Sequence, residues 1–359
     1  MTENKLTINE QFLEEFVNAP SPSGSEEPAQ RLFRAYIKEY VDEIRTDILG
    51  NAIGIVNPTG SPKIMLAGHV DEVGLQVRYI TEKGYIYVHQ IGGLDAHLLP
   101  ACRVKILTNK GDIIGIMGKK AIHLQEPEER KKVIKLKDQY IDIGARSREE
   151  VEDLGIRIGD PIIFDFYYEK LGNKGDVVSR CFDDKIGAFI VAEILRHLKG
   201  EQFDAAVYGV STTQEEVGLR GAKVSAYGVD PDISFVYDVD FATDTPSISE
   251  KDQGISKLSG GPIIARGPNM APKLYDLVIK IAQEMEMPVQ IIAEPRGTGT
   301  DANFINLSRS GVATSLIGIP NRYMHSMSEV VNLNDVDAIV KLSVAVIKKI
   351  TKDTSFIPN

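Results

Sequence analysis

KIMLAGHVD, residues 63–71, decides how this chain is read. Lys63–Ala67 is a short apolar run, the pattern of a strand buried on both faces, and an imidazole and a carboxylate, His69 and Asp71, follow it at once. The arrangement recurs further along. Ala205–Val210 (AAVYGV) leads into Glu215 and Glu216, and Ile233–Tyr237 (ISFVY) leads into Asp238 and Asp240. Ala313–Ile317 begins a strand that ends near Ile319 and leads to His325, and Val289–Ile292 reads as a further strand. Between these runs lie segments of helical period. In Pro272–Met285 the apolar positions Leu274, Leu277, Val278, Ile281 and Met285 fall on one face, and Ile186–Leu198 and Val336–Ile350 are also helical. Alternation of this kind predicts an α/β sheet covered on both faces, with its site beyond the carboxyl ends of the strands. Four strands therefore deliver imidazole and carboxylate groups to one rim, and a further pair, Asp183-Asp184, precedes the helix that begins near Ile186.

Outward from this frame the pattern changes. From about Gly74 to Tyr168, β-type segments at residues 79–80, 85–90, 103–107, 113–117 and 161–166 are separated by turn signals such as Lys83-Gly84 and Asn109-Lys-Gly111. Short strands with close turns predict a small β-barrel or sandwich, inserted into the α/β domain and decorated by helical pieces near Glu126–Lys132 and Ser147–Leu154. At the start of the chain, helices are predicted at Glu10–Asn18 and Glu26–Glu43, the second capped by Ser25 with Pro28 in its first turn.

Composition bounds the function. The 359 residues exceed one typical domain, and 43% hydrophobic content is ample for a core. A net charge of −10 opposes a general affinity for nucleic acid or anionic membranes, and the basic run Arg130, Lys131, Lys132, Lys135 and Lys137 reads as a solvated face. Two cysteines, Cys102 and Cys181, make neither a disulfide framework nor a four-cysteine zinc site. The opening MTENKLTINE lacks the apolar core of a signal peptide, and no window approaches ~18 apolar residues, so the expected location is cytoplasmic.

Each chemical motif taken singly has a plain structural explanation. A His-x-Asp after a strand is often a hydrogen-bonded surface pair, most Glu-Glu pairs are solvated, and Asp183-Asp184 could cap the following helix. Their joint placement at strand ends points elsewhere. Two histidines and several carboxylates suit zinc, cobalt or manganese, and carboxylates crowded at one rim repel one another unless cations neutralise them. Two metals side by side need one carboxylate that bridges both. His89, His97, His123 and His197 lack an acidic partner at ligand spacing, although His97 lies in a loop, GGLDAHLLP, that could approach a neighbouring subunit.

GHVDEVG, CFDDKIGA, TTQEEVGLRGA, YDVDFATDTP, GTGTDAN and IPNRYMHSMSEV, in this order, resemble the M42 family of metalloaminopeptidases, which includes tetrahedral, glutamyl and deblocking aminopeptidases. The resemblance runs from SPSGSEE to the last helix. It implies a mixed-sheet di-metal peptidase domain of the zinc-exopeptidase type over residues 1–73 and 169–359. It also implies a small β-barrel or PDZ-like dimerisation domain inserted at 74–168. Carried over residue by residue, it makes His69, Asp183, Glu216, Asp238 and His325 the metal ligands, with Asp183 the bridge. Glu215 becomes the general base, and Asp71 the group that hydrogen-bonds and orients the His69 ring. The loop holding Gly297, Thr298, Gly299, Thr300 and Asp301 would shape the pocket for the N-terminal side chain. Lys185, where an arginine is common, and the bulky Arg180-Cys181-Phe182 depart from the pattern. The function implied is removal of N-terminal residues from short peptides, with two divalent metals per subunit, zinc foremost and cobalt or manganese as alternatives. Self-association to a dimer, and further to a dodecamer, is implied as well. The alternatives are a di-metal deacylase of N-acyl amino acids or peptides and a metal-binding scaffold without catalysis; the presence of Glu215 counts against the scaffold. A two-carboxylate glycosidase is disfavoured by the implied metal pair and by the absence of tryptophan.

Overall fold

Strand Lys63–His69 lies inside the molecule because both its faces are apolar: Ile64 and Leu66 enter one core, Met65 and Ala67 the other. In this computed structural model, which describes residues 6–358, it is the fourth strand of an eight-stranded mixed sheet. The order across the sheet is Glu43–Thr46, Ala52–Val56, Ala206–Thr212, Lys63–His69, Ile233–Phe241, Ala313–Asn321, Ile263–Arg266 and Gln290–Ala293. The four central strands run parallel, so their carboxyl ends share one rim. One face is covered by helices Glu10–Asn18, Glu27–Ile37, Phe182–Leu198, Pro272–Glu284 and Leu333–Ile347, and the other by Arg220–Val229 and Ala302–Ile305. Helix Phe182–Leu198 is almost wholly buried. It meets the sheet closely because Gly68 has no side chain: a Cβ there would stand 2.3 Å from the Gly187 carbonyl carbon.

Between the strand ending at His69 and this helix, six strands close a barrel in the order Gly74–Ile80, Ile86–Ile91, Tyr140–Asp142, Gly111–Gly118, Arg103–Thr108 and Pro161–Phe164. Leu75, Val77, Ile86, Val88, Val104, Ile106, Met117 and Ile162 give it a core of its own. A three-stranded sheet, Glu169–Leu171, Asp176–Ser179 and Glu329–Asn332, lies beside the main one.

The mixed α/β architecture with its barrel is as expected, three local readings are corrected, and one strand went unread. The second helix ends at Ile37, and Glu43–Thr46 becomes the exposed edge strand paired with Ala52–Val56, sheet pairing overriding helical periodicity. Ser25 does not cap that helix; Glu26 occupies the N-cap without a side-chain cap bond and its carboxylate accepts the Gly24 N–H at 2.7 Å. Residues 126–132 form turns rather than a helix, since Pro127 and an all-charged run offer no apolar face. Tyr140–Asp142, too short to carry a period, is a strand that pairs on both sides and closes the barrel. The N-terminal stretch read for a signal peptide lies, at residues 1–5, outside the described residues. Among the described residues no helix is long and apolar enough to cross a membrane.

Candidate metal centre

The parallel strands set the positions of the site. His69 ends its strand opposite Thr212, and its backbone N–H donates to Asp184 Oδ2 at 3.1 Å. Asp184 also accepts the Gly187 N–H at 3.1 Å, so this aspartate caps the buried helix while its neighbour Asp183 projects into the site. Asp183 sits between the two imidazoles: one oxygen is 3.1 Å from His69 Nε2 and the other 3.1 Å from His325 Nε2. Glu216 lies 3.5 Å from His325 Nε2, and Glu215 3.9 Å from His69 Nε2. The donor atoms of His69, Asp183 and Asp238 fall within 4.8 Å of one another, as do those of Asp183, Glu216 and His325. These two clusters share Asp183, and each adds one histidine and one other carboxylate. His69, Glu215 and Glu216 make a third group at the same spacing.

The supports of these groups differ in part from expectation. His69 Nδ1 faces the backbone carbonyl of Asp71 at 3.1 Å, while the Asp71 carboxylate stands 3.6 Å from it. That carboxylate instead accepts the backbone N–H groups of Glu215 at 2.9 Å and Glu216 at 3.2 Å and the Ser23 hydroxyl at 2.6 Å. It therefore holds the turn that carries both glutamates. The carbonyl is the nearer of the two Asp71 acceptors to the ring, and the carboxylate stands behind it with its charge. His325 Nδ1 faces the Gly93 carbonyl at 2.7 Å, which brings a residue of the barrel segment to the site.

Glu329 was not among the expected site residues. It is fully buried and accepts the Asp183 N–H on one oxygen and the His325 N–H on the other, both at 2.8 Å, tying together the distant segments that carry two of the expected ligands. Its signal lay in the MHSMSEV string, four residues after His325. The departure at Lys185 also has a physical account. Its buried ammonium donates to the Val17 and Ala19 carbonyls and to Glu72, which also pairs with Arg180 at 3.0 Å. Burial works to raise the Glu72 pKa, and the two cations outweigh it and hold the carboxyl below its usual range. Cys181 is buried, and desolvation pushes its thiol up to about 12. His89, His97, His123 and His197 are in none of the ligand clusters.

Of the glycine-rich loop, Thr298, Gly299 and Thr300 line a cavity of about 320 Å³ that opens onto the ligand cluster. Gly297 stands against Asn303, and Asp301 is buried below, accepting the Thr212 hydroxyl at 2.5 Å. Asp240, expected at the strand-end rim without a role, and Glu294, not among the expected residues, also line the cavity.

The electrostatics test the fit of a cation. Burial, reinforced by neighbouring carboxylates, pushes Glu215 up to about 10 and Glu216 up to about 8, and raises Asp238 well above its ordinary value. His69 and His325 are raised, His325 to about 9 by its contact with Asp183. Glu216 Oε1 is buried with no hydrogen-bond partner. A buried cluster of mutually repelling acids with an orphaned oxygen fits divalent cations, which would favour the ionised forms.

The chain matches the family described as M42 glutamyl aminopeptidase over residues 50–342. It is 35% identical over 353 residues to the lysyl aminopeptidase of Pyrococcus furiosus, covering 98% of this chain and 100% of that one. Its fold superimposes on a TET aminopeptidase from a marine sediment archaeon of the Thaumarchaeota with a TM-score of 0.91, at 36% identity, covering 95% and 96% of the two chains. A Pyrococcus horikoshii TET1 peptidase, reported to assemble into a tetrahedron or a large octahedral shell, gives 0.84 at 31% identity, covering 95% and 99%. With the family match spanning most of its length, this chain belongs to the M42 peptidase family.

Proposed function

We propose that this chain is a metal-dependent aminopeptidase whose centre takes two divalent ions, zinc foremost and cobalt or manganese as alternatives. The observation that carries the reading is the Asp183 carboxylate, one oxygen toward each imidazole, at the junction of two donor sets. His69, Asp238 and Asp183 would hold one ion, and His325, Glu216 and Asp183 the other. Ions bound there supply Lewis acidity, making water acidic and polarising the scissile carbonyl. Glu215 takes a proton from the attacking water as its oxygen bonds to the carbonyl carbon. The same carboxyl returns that proton to the peptide nitrogen as the C–N bond breaks, releasing the first residue with a free carboxylate and the shortened peptide with a new amine. Asp71 keeps Glu215 aimed by holding its backbone. Thr298–Thr300 form part of the wall around the N-terminal side chain.

The division into a catalytic unit, 1–73 and 169–359, and a dimerisation unit, 74–168, belongs to the same proposal. Exposed Ile114, Ile116, Ile122 and Leu124 on the barrel segment supply an apolar face for pairing. A dimer, and from it a dodecamer, follows by likeness to the tetrahedral relative, and cytoplasmic peptides are the substrates envisaged. Names among the relatives and the family diverge between lysyl and glutamyl, so preference has to be read from this chain's own pocket.

Glu215→Gln should keep the metals and lose ~10²–10⁴-fold in turnover of aminoacyl p-nitroanilides. Near-normal rates in the metal-loaded variant would remove Glu215 as the base. Equal cleavage of an acetyl-blocked peptide and its free-amine counterpart would favour a deacylase or endopeptidase instead.

A further inference from the structure

The cavity continues past the ligand cluster. Its other walls are apolar at Phe241, Leu316 and Met324, and they carry two further carboxylates, Asp240 and Glu294. Asp240 stands two residues beyond Asp238 on strand Ile233–Phe241, so the two side chains share a face, about 6.6 Å apart along the strand. Gly318 leaves room for it: a Cβ there would lie 3.0 Å from the Asp240 Cβ and 3.4 Å from its Oδ2. Glu294 arrives from the end of strand Gln290–Ala293, its backbone N–H donated to the Arg266 carbonyl at 2.9 Å. Among the described residues neither carboxylate is ion-paired with a lysine or arginine. The Arg266 guanidinium lies over the Tyr275 ring at 5.4 Å, and the two histidines of the cavity face Asp183.

We propose that Asp240 and Glu294 make this cavity an acidic specificity pocket that selects peptides beginning with lysine or arginine. The inference rests on the aminopeptidase reading and names its substrate class. An extended lysine stem reaches roughly 6 Å from Cα to Nζ at bond lengths of about 1.5 Å, close to the Asp238–Asp240 offset. Its methylenes would lie along the apolar walls while the ammonium met both carboxylates. Glutamate or aspartate at the same place would face the like charge of both carboxylates, neither of them paired with a lysine or arginine among the described residues, so acidic N-termini are rejected.

The test is a panel of lysyl, arginyl, norleucyl and glutamyl p-nitroanilides on metal-replete protein, with norleucine matching the lysine stem without its charge. Lysyl kcat/KM should exceed norleucyl by roughly tenfold or more and glutamyl by ~100-fold. Glu294→Gln, with metal content checked, should lower the lysyl-to-norleucyl ratio about tenfold, mainly through KM, and Glu294→Lys should favour glutamyl over lysyl. Free L-lysine should also compete more tightly than L-norleucine, a binding readout independent of turnover. Turnover with norleucyl equal to lysyl, glutamyl preferred, or a ratio unmoved in Glu294→Gln overturns the inference and leaves the aminopeptidase reading standing. No turnover of any free-amine substrate overturns both.

Discussion

Asp183 shows how much a single side chain depends on groups out of sight of it. Its carboxylate faces two imidazoles, while its backbone N–H is held by Glu329, which also holds the His325 N–H. Glu329→Gln keeps one acceptor oxygen and turns an amide NH₂ toward a backbone N–H, leaving a buried donor unpaired. We expect metal affinity to fall ~10–100-fold, measured by calorimetry or by metal retained on dialysis, with the loss of stability about 1–3 kcal/mol. Unchanged affinity would limit Glu329 to a structural role. His69, Asp183, Glu215, Glu216, Asp238 and His325 could be picked out of the sequence because each follows or flanks a recognisable strand or helix. Asp240 was read at the same rim but without a role, and the roles of Glu329 and Glu294 depend on which distant backbone or cavity wall they meet. Asp71 was singled out for the right neighbourhood: spacing shows that a carboxylate is near the ring, and only geometry shows that its carbonyl is nearer still and that the carboxylate also holds the turn carrying both glutamates.

At the scale of elements, closeness is controlled by residues that are small. The Gly68 Cβ position lies 2.3–2.7 Å from Gly187 and Ala188 backbone atoms, which cannot move aside like a side chain. Gly68→Ala should cost about 3 kcal/mol or more in denaturant unfolding and shift His69 relative to Asp183. Gly228, with nothing within 4 Å in helix Arg220–Val229, is the control: its alanine variant should gain up to about 1 kcal/mol. Helix Leu333–Ile347 is tied to the N-terminal segment through Asp337, which accepts the Thr7 N–H at 2.8 Å, the Thr7 hydroxyl at 2.6 Å and the Lys341 ammonium at 2.5 Å. Burial works to raise the Asp337 pKa, but these partners outweigh it and hold the carboxyl below its usual range. A lowered native pKa gives stability that is present above the unfolded value and lost as pH falls through the native one, below about pH 4. Asp337→Asn should cost about 1 kcal/mol at neutral pH and flatten the acid limb of the stability curve. An acid limb of unchanged slope would show that other carboxylates carry it. Among elements, the four central buried strands were legible because uninterrupted apolar runs are rare elsewhere, while Ala52–Val56, Ile263–Arg266 and Glu329–Asn332, buried but only four or five residues long, went unread. Tyr140–Asp142 and Glu43–Thr46 were not, since one is too short for a period and the other is exposed along its whole length.

At the scale of the molecule, the barrel has a core separate from the two cores of the α/β sheet, and its exposed isoleucines face outward from it. Light scattering on metal-replete protein should give a mass well above the 39.5 kDa of one chain, at a multiple of two chains. A mass of one chain would remove the pairing role of the barrel, and one of two chains would remove only the larger shell. The same insertion also orders events in time. His69 leaves the ribosome before the barrel, Asp183 after it and His325 near the end, so no early fragment owns more than a corner of the centre. The barrel can close on its own contacts while the rest of the sheet is still being made, because units with a self-contained core fold as units during synthesis. The parallel pairing of Lys63–His69 with Ala206–Thr212 must wait for that intervening length, and long-range pairing of this kind is slow. On the two-ion reading, ion capture comes last in maturation, because a nascent or truncated chain lacks the complete set of donors with which to compete for scarce metal.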